Sequence, residues 1–205
     1  GLAKGLKLKD LAPEAPAIAN YTTGEVMGKS SDRLSAKFGV SRKEMDEYSV
    51  RSHIRAAKAH ADGIYADEIV PVDGSVEENG IKGDSTYEKI SKLKPAFIKS
   101  VEGTHTAANS SFLTDGASAA LIMSEEKALA LGYRPKAYIR GWSYVACDPF
   151  EELLLGPTYA TAQLLKKHNL ALKDIGVLEI HEAFAGQVLS NFNAMASEKF
   201  AHEKL

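Results

Sequence analysis

The sequence predicts an α/β protein. Short apolar, β-branched stretches alternate with capped helical stretches in its second half, and the composition is that of a chain able to bury a core. Residues 137–145 and 175–180 read as strands. A helix opened by Gly156-Pro157 and running to His168 follows the first, and a helix from about Ala183 follows the second. Strand, helix, strand, helix implies a parallel sheet. In such sheets ligands sit beyond the carboxyl ends of the strands, which favours the turn after Ile180 as a site.

The remaining elements follow in chain order. After a loop at Pro13 to Pro16, Ser30, Ser31 and Asp32 are N-cap candidates for a short helix ending at Gly39. Ser41-Arg-Lys-Glu44 reads as a capping box, opening a long helix with Met45, Tyr48, Ile54 and Ala57 at core spacing and a stop at Asp62-Gly63. Residues 73–95 are rich in Gly, Asp, Asn and Lys and read as a surface excursion after a strand at 69–72. A small-residue run from Thr104 to Ser111 leads into 117–123, then a helix from Ser124 stopped by Gly132. No internal repeat or low-complexity tract interrupts this order.

Composition narrows the function classes. In 205 residues, 44% are apolar and 25% charged; 25 Lys+Arg stand against 27 Asp+Glu, for a formal charge of −2. That balance creates no whole-chain field attracting nucleic acid. The single cysteine, Cys147, excludes an internal disulfide framework and a CxxC site, as suits a reducing compartment. With no base near it in sequence, Cys147 reads as a small buried residue beside Val145 and Ala146 rather than a nucleophile. No apolar run reaches the ~18 residues of a membrane span. Lys4, Lys7 and Lys9 among Leu2, Leu6, Leu8 and Leu11 leave two readings of segment 1–11: an element packed on its own domain, or one lying on an anionic membrane surface. The chain does not begin with Met, so a processed or truncated product is expected.

Common enzyme signatures are missing. His181-Glu182-Ala183-Phe184-Ala185 lacks the second His of a zinc-protease helix, GxSxG does not occur, and GIKGDST at 80–86 lacks the spacing of a phosphate loop. What remains is His181 at a strand's carboxyl end, where an imidazole N–H or a held water stabilises a developing oxyanion, against a plain turn histidine. Glu182 reads as a helix N-terminal charge.

The full string IHEAFAGQVLSN at 180–191 resembles the NEAFA/HEAFA segment of the thiolases. THTAANSSFLTDGASAALIMSEEKALALGY at 104–133, LKPAF at 93–97, LLLGPTYAT at 153–161 and LAPEAPA at 11–17 resemble the same family in the same order, so the likeness covers essentially the whole chain. The His in HEAFA, with NSSFLTDGAS and LLLGPTYAT, is most similar to the long-chain 3-ketoacyl-CoA thiolases.

The resemblance implies a partial thiolase-like fold, a loop domain plus incomplete βα core layers. Residues 1–112 would be the loop domain covering CoA, 113–135 a strand and helix returning to the N-terminal half, and 136–205 the start of the C-terminal half. It implies thiolytic cleavage: a cysteine thiolate attacks the 3-keto carbon, acetyl-CoA leaves as an enolate, and the CoA thiol takes the acyl group. His181 would stabilise the oxyanion. Ser111 would hydrogen-bond the pantetheine amide, Phe97, Phe184 and Met27 would line the pantetheine channel, and Lys82 would lie near the CoA phosphates. Asn109 would be structural. CoA is a substrate, and neither cofactor nor metal is implied. The implied partners are CoA and acyl-CoA thioesters, a second copy of the parent and the trifunctional enzyme alpha subunit, in the mitochondrial matrix at the inner membrane. The family's nucleophilic Cys, its GHP His and its second Cys are not matched here, so this stretch is expected to be the inactive middle of a longer enzyme. A non-catalytic CoA-binding module and a membrane-associated interaction module are the competing readings.

Overall fold

The computed structural model describes residues 18–75, 80–114 and 116–205. The lysine-bearing 1–11 segment and the Pro13 to Pro16 loop lie outside them. α1 (Met27–Lys37) and α2 (Arg42–Ala61) are followed by the short α3 (Tyr87–Ile90) and α4 (Glu125–Ala130); α5 (Gly156–His168), α6 (Ala185–Ala196) and α7 (Glu198–Lys204) complete the order. α6 is the hub, since α1, α2, α5 and α7 all pack against it.

Local chemistry explains most boundaries. Ser41 Oγ accepts from the Glu44 N–H at 3.3 Å while the Glu44 carboxylate accepts from the Ser41 N–H at 2.8 Å, the expected capping box at the start of α2. α2 ends at Asp62, as expected. Ser124 caps α4, and Gly132 follows it at φ +76°, a conformation open to glycine without strain. α5 begins at Gly156 with Pro157 in its first turn, where the missing N–H costs nothing.

Two clusters form the core. Leu34, Leu155 and Ala194 join α1, the start of α5 and α6, with Phe38, Leu154, Tyr159 and Phe200 packed around them. Val40, Met45 and Ala185 join the α1–α2 connection to the start of α6. Thr158 and Asn191 link two motifs that resemble the thiolases: Asn191 Oδ1 accepts from the Thr158 N–H at 3.1 Å and from its hydroxyl at 2.8 Å, and Asn191 Nδ2 donates to the backbone carbonyls of Leu154 and Gln187.

Several expectations need correction. α1 begins at Met27, so Ser30, Ser31 and Asp32 lie inside the helix, buried, rather than at its cap. Ser31 meets the His105 ring and Asp32 accepts from the Ile98, Thr104 and His105 N–H groups, a tertiary demand that overrides local capping chemistry. Ile54 is 47% exposed, because the buried face of α2 is confined to Met45, Asp46 and Ser49. The helix expected from Ala183 starts at Ala185. No strand ladder forms among the described residues. Only isolated bridges occur, Ala19 with Val26, Val72 with Ser75 and Ser110 with Phe184. The stretches expected as strands at 69–72, 137–145 and 175–180, and the strand implied within 113–135, have no partner strand, so Val70, Ile122, Ile139 and Val177 stand 80%, 72%, 67% and 75% exposed. A strand is completed by hydrogen bonds to its neighbour.

Gly186 sets the closest approach of α6 to the buried polar layer. A Cβ there would meet Ser35 Oγ and lie 2.5 Å from His105 Nε2. Ser35 can rotate, but His105 is fixed by Asp32. Gly186→Ala is expected to destabilise the chain by about 1–3 kcal/mol, the usual cost of overpacking, seen as a lower melting temperature. A melt within a degree of the original would show that the helix shifts freely.

Candidate active site

The 109–111 run and the 183–185 turn lie edge to edge. The Ser111 N–H donates to the Ala183 carbonyl at 2.8 Å and the Ala185 N–H donates to the Asn109 carbonyl at 3.0 Å. Asn109 is itself held by a 2.9 Å bond from its amide to the buried Asp46 and by accepting from the Thr106 N–H at 2.7 Å, which is the structural role expected of it. This arrangement puts Ser111 and His181 on one open cleft of about 830 Å3, with Tyr48, Arg51, Ser52 and Arg55 of α2 as the opposite wall. A smaller cleft of about 240 Å3 adjoins it, lined by His53, Gly80, Ile81, Ser110 and Phe112. Tyr48, Ser52, Ala56, Ser111 and Glu182 line both.

The other expected site residues are placed differently. Phe184 is 7% exposed and buried edge-on between the rings of Phe97, at 5.7 Å, and His105, at 5.5 Å, and does not line either cleft. Phe97 also packs over Gly28, next to Met27, which is 48% exposed at the start of α1. None of Met27, Phe97 and Phe184 lines either cleft; Phe97 and Phe184 pack ring against ring instead. Lys82 sits on the outer side, its backbone N–H donating to His53 Nδ1 at 3.3 Å beside the smaller cleft.

Two groups are not announced by the sequence because their partners are far apart along the chain. Glu182, read as a helix N-terminal charge, accepts from Tyr48 Oη at 2.5 Å and Ser52 Oγ at 2.7 Å. Burial, with the Glu182 bond and charge behind it, pushes the Tyr48 phenol well above its ordinary pKa. Beneath the cleft, Asp32 Oδ1 accepts from the Thr104 N–H, the Thr104 hydroxyl and the His105 N–H, each at 2.9 Å, and pairs with His105 Nδ1 at 2.8 Å. His105 Nε2 meets Ser31 Oγ at 3.0 Å. Serine, histidine and aspartate in this order resemble a nucleophilic triad, but Ser31 and His105 are 0% exposed, so no substrate reaches the hydroxyl and the group acts as a strut. Burial alone would raise the Asp32 pKa; the bonds from His105 and Thr104 outweigh it and hold the carboxyl below its ordinary value. Cys147 is half-buried, and burial with the nearby Glu152 charge raises its thiol pKa, which keeps the thiolate scarce. Among the described residues no cluster of His, Cys, Asp and Glu is arranged to hold a metal ion.

With the fold and cleft defined, comparison with known proteins supplies the class. The family profile "Thiolase, N-terminal domain" matches residues 3–126 and "Thiolase, C-terminal domain" matches 133–204. The chain belongs to the thiolase family and carries a partial thiolase fold. Among curated proteins it is similar to the mitochondrial trifunctional enzyme subunit beta of Homo sapiens, 57% identical over 93% of this chain and 41% of that protein. It is equally similar to a probable 3-ketoacyl-CoA thiolase of Caenorhabditis elegans, 57% identical over 95% and 44%. Among solved structures, the Bacillus anthracis acetyl-CoA acetyltransferase superposes with a TM-score of 0.81 at 35% identity, covering 89% of this chain and 48% of that one. The backbone therefore follows the thiolase path even where its sheet ladders are not closed, and the chain spans less than half the length of these relatives.

Proposed function

We propose that this chain supplies one wall of the active site of a 3-ketoacyl-CoA thiolase, an acyltransferase of fatty-acid β-oxidation that cleaves 3-ketoacyl-CoA with CoA. One observation carries the reading: Ser111 and His181, distant in sequence, line the same cleft and are joined through the Ser111–Ala183 backbone bond. In the reaction the negative charge develops on the thioester oxygen. His181, at the mouth of the turn, is the donor for it, directly or through a water. Ser111 holds the pantetheine amide, while Met27, Phe97 and Phe184 shape the channel from behind and Lys82 lies toward the CoA phosphates. The loop domain at 1–112, the returning strand and helix at 113–135 and the C-terminal half from 136 are the corresponding divisions.

The nucleophilic cysteine belongs to the parent enzyme, outside these 205 residues. By likeness to the beta subunits, the parent works in mitochondria with the trifunctional enzyme alpha subunit and a second copy of itself, at the inner membrane. A full-length enzyme containing these residues is expected to release acetyl-CoA from acetoacetyl-CoA and from a longer 3-ketoacyl-CoA. The 205-residue chain alone is expected to give no turnover above its Cys147→Ala control. Product analysis by chromatography decides both. Failure of thiolysis in the first, or Cys147-dependent turnover in the second, contradicts the proposal.

A further inference from the structure

We propose that Glu182 is a positioning residue, which with Tyr48 and Ser52 fixes the turn carrying His181 against α2. The inference rests on the reading of His181 given above, but its observations are independent of it. Glu182 immediately follows His181, and its two carboxylate oxygens are each engaged by a separate donor of one helix: Oε1 by the Tyr48 hydroxyl at 2.5 Å and Oε2 by the Ser52 hydroxyl at 2.7 Å. Tyr48 and Ser52 are four residues apart on α2, so they stand one turn above the other on one face and present a two-point grip. Hydrogen bonds to an ionised acceptor are short and about twice as strong as neutral ones. The raised phenol pKa of Tyr48 agrees with a proton held between the two oxygens.

The grip has a functional position. On the other side of the same turn, Ser111 bonds Ala183 and Asn109 bonds Ala185, so residues 181–185 are held from two directions, by α2 and by the 109–111 run. Glu182, Tyr48 and Ser52 also form the partition shared by the two clefts, the larger one holding His181 and the smaller one lined by His53, Ile81 and Ser110. A ligand that reaches from the smaller cleft to His181 passes this partition. Releasing it leaves His181 on a turn anchored from one side only.

The test uses this 205-residue chain with a 15N label. Tyr48→Phe combined with Ser52→Ala removes both donors and keeps the ring, and Glu182→Gln keeps one acceptor oxygen as a partial rescue. Three quantities are read: melting temperature, the ring signals of His181, and the Kd for CoA by calorimetry. The expected result for the double variant is broadened or doubled His181 ring signals and CoA binding weakened about tenfold, the scale of one or two lost hydrogen bonds to a charged group. The melt should move only a few degrees, and Glu182→Gln should fall between the double variant and the original. A single, unshifted set of His181 signals in the double variant overturns the proposal, whatever CoA does. Should the unaltered chain bind no CoA, the thiolase reading of the cleft fails, and the His181 signals alone still decide whether Glu182 positions that turn.

Discussion

In the parent enzyme, His181→Ala is expected to lower kcat by roughly 10²–10³, the loss found when one oxyanion donor is removed, with little change in KM. The side chain stands exposed on the cleft at the carboxyl side of the 175–180 stretch, so its removal takes away no core packing. His181→Asn should retain more activity than alanine, since an amide donates from the same turn. Steady-state rates with acetoacetyl-CoA and a melting curve for each variant separate the roles. Equal losses for Asn and Ala, or a lost fold in place of a lost rate, would make His181 a turn residue.

Asp32→Ala is expected to destabilise the chain by about 3–5 kcal/mol, a large fraction of the stability of an ordinary domain. The carboxylate is fully buried and takes four donors on one oxygen from Thr104 and His105. Truncation leaves buried N–H groups and the His105 ring unpaired. Its pH signature follows from the direction of the pKa. The folded carboxyl titrates below the ordinary value of 3.8, so its contribution is complete above that value and is lost as pH falls through the lower folded pKa. Denaturant melts from neutral pH into acid should therefore show a decline that Asp32→Asn flattens. A decline that persists unchanged in Asp32→Asn would place the acid-sensitive group elsewhere, and a flat profile in the original chain would contradict the linkage.

These two residues show where sequence reading succeeds and where it stops. The capping box at Ser41, the stop at Gly132 and the Pro157 start are written in neighbouring residues, and the structure follows them. That His181 lies on a cleft was legible because the turn before a helix is a favoured ligand position and because the surrounding string resembles the family's pattern, while its role remains a proposal. Asp32 was misread as a cap, since its partners lie more than seventy residues away and no local periodicity announces them. Glu182 was misread for the same reason. The apolar stretches at 137–145 and 175–180 carry strand propensity, but propensity supplies no partner to pair with, and their large side chains remain exposed. Phe184 carried the right residue type for a channel, yet its ring turns into the stack with Phe97 and His105.

Whether the Ser111–His181 cleft receives a CoA thioester can be read by titrating the 15N-labelled chain with acetyl-CoA and mapping the amide signals that move. Saturable shifts are expected to concentrate at Ser111, His181, Glu182 and the α2 residues Tyr48 and Ser52, to be displaced by free CoA and to weaken in Ser111→Ala. Shifts confined to the exposed apolar segments around Ile139 and Val177, or none at millimolar ligand, would contradict binding in the cleft.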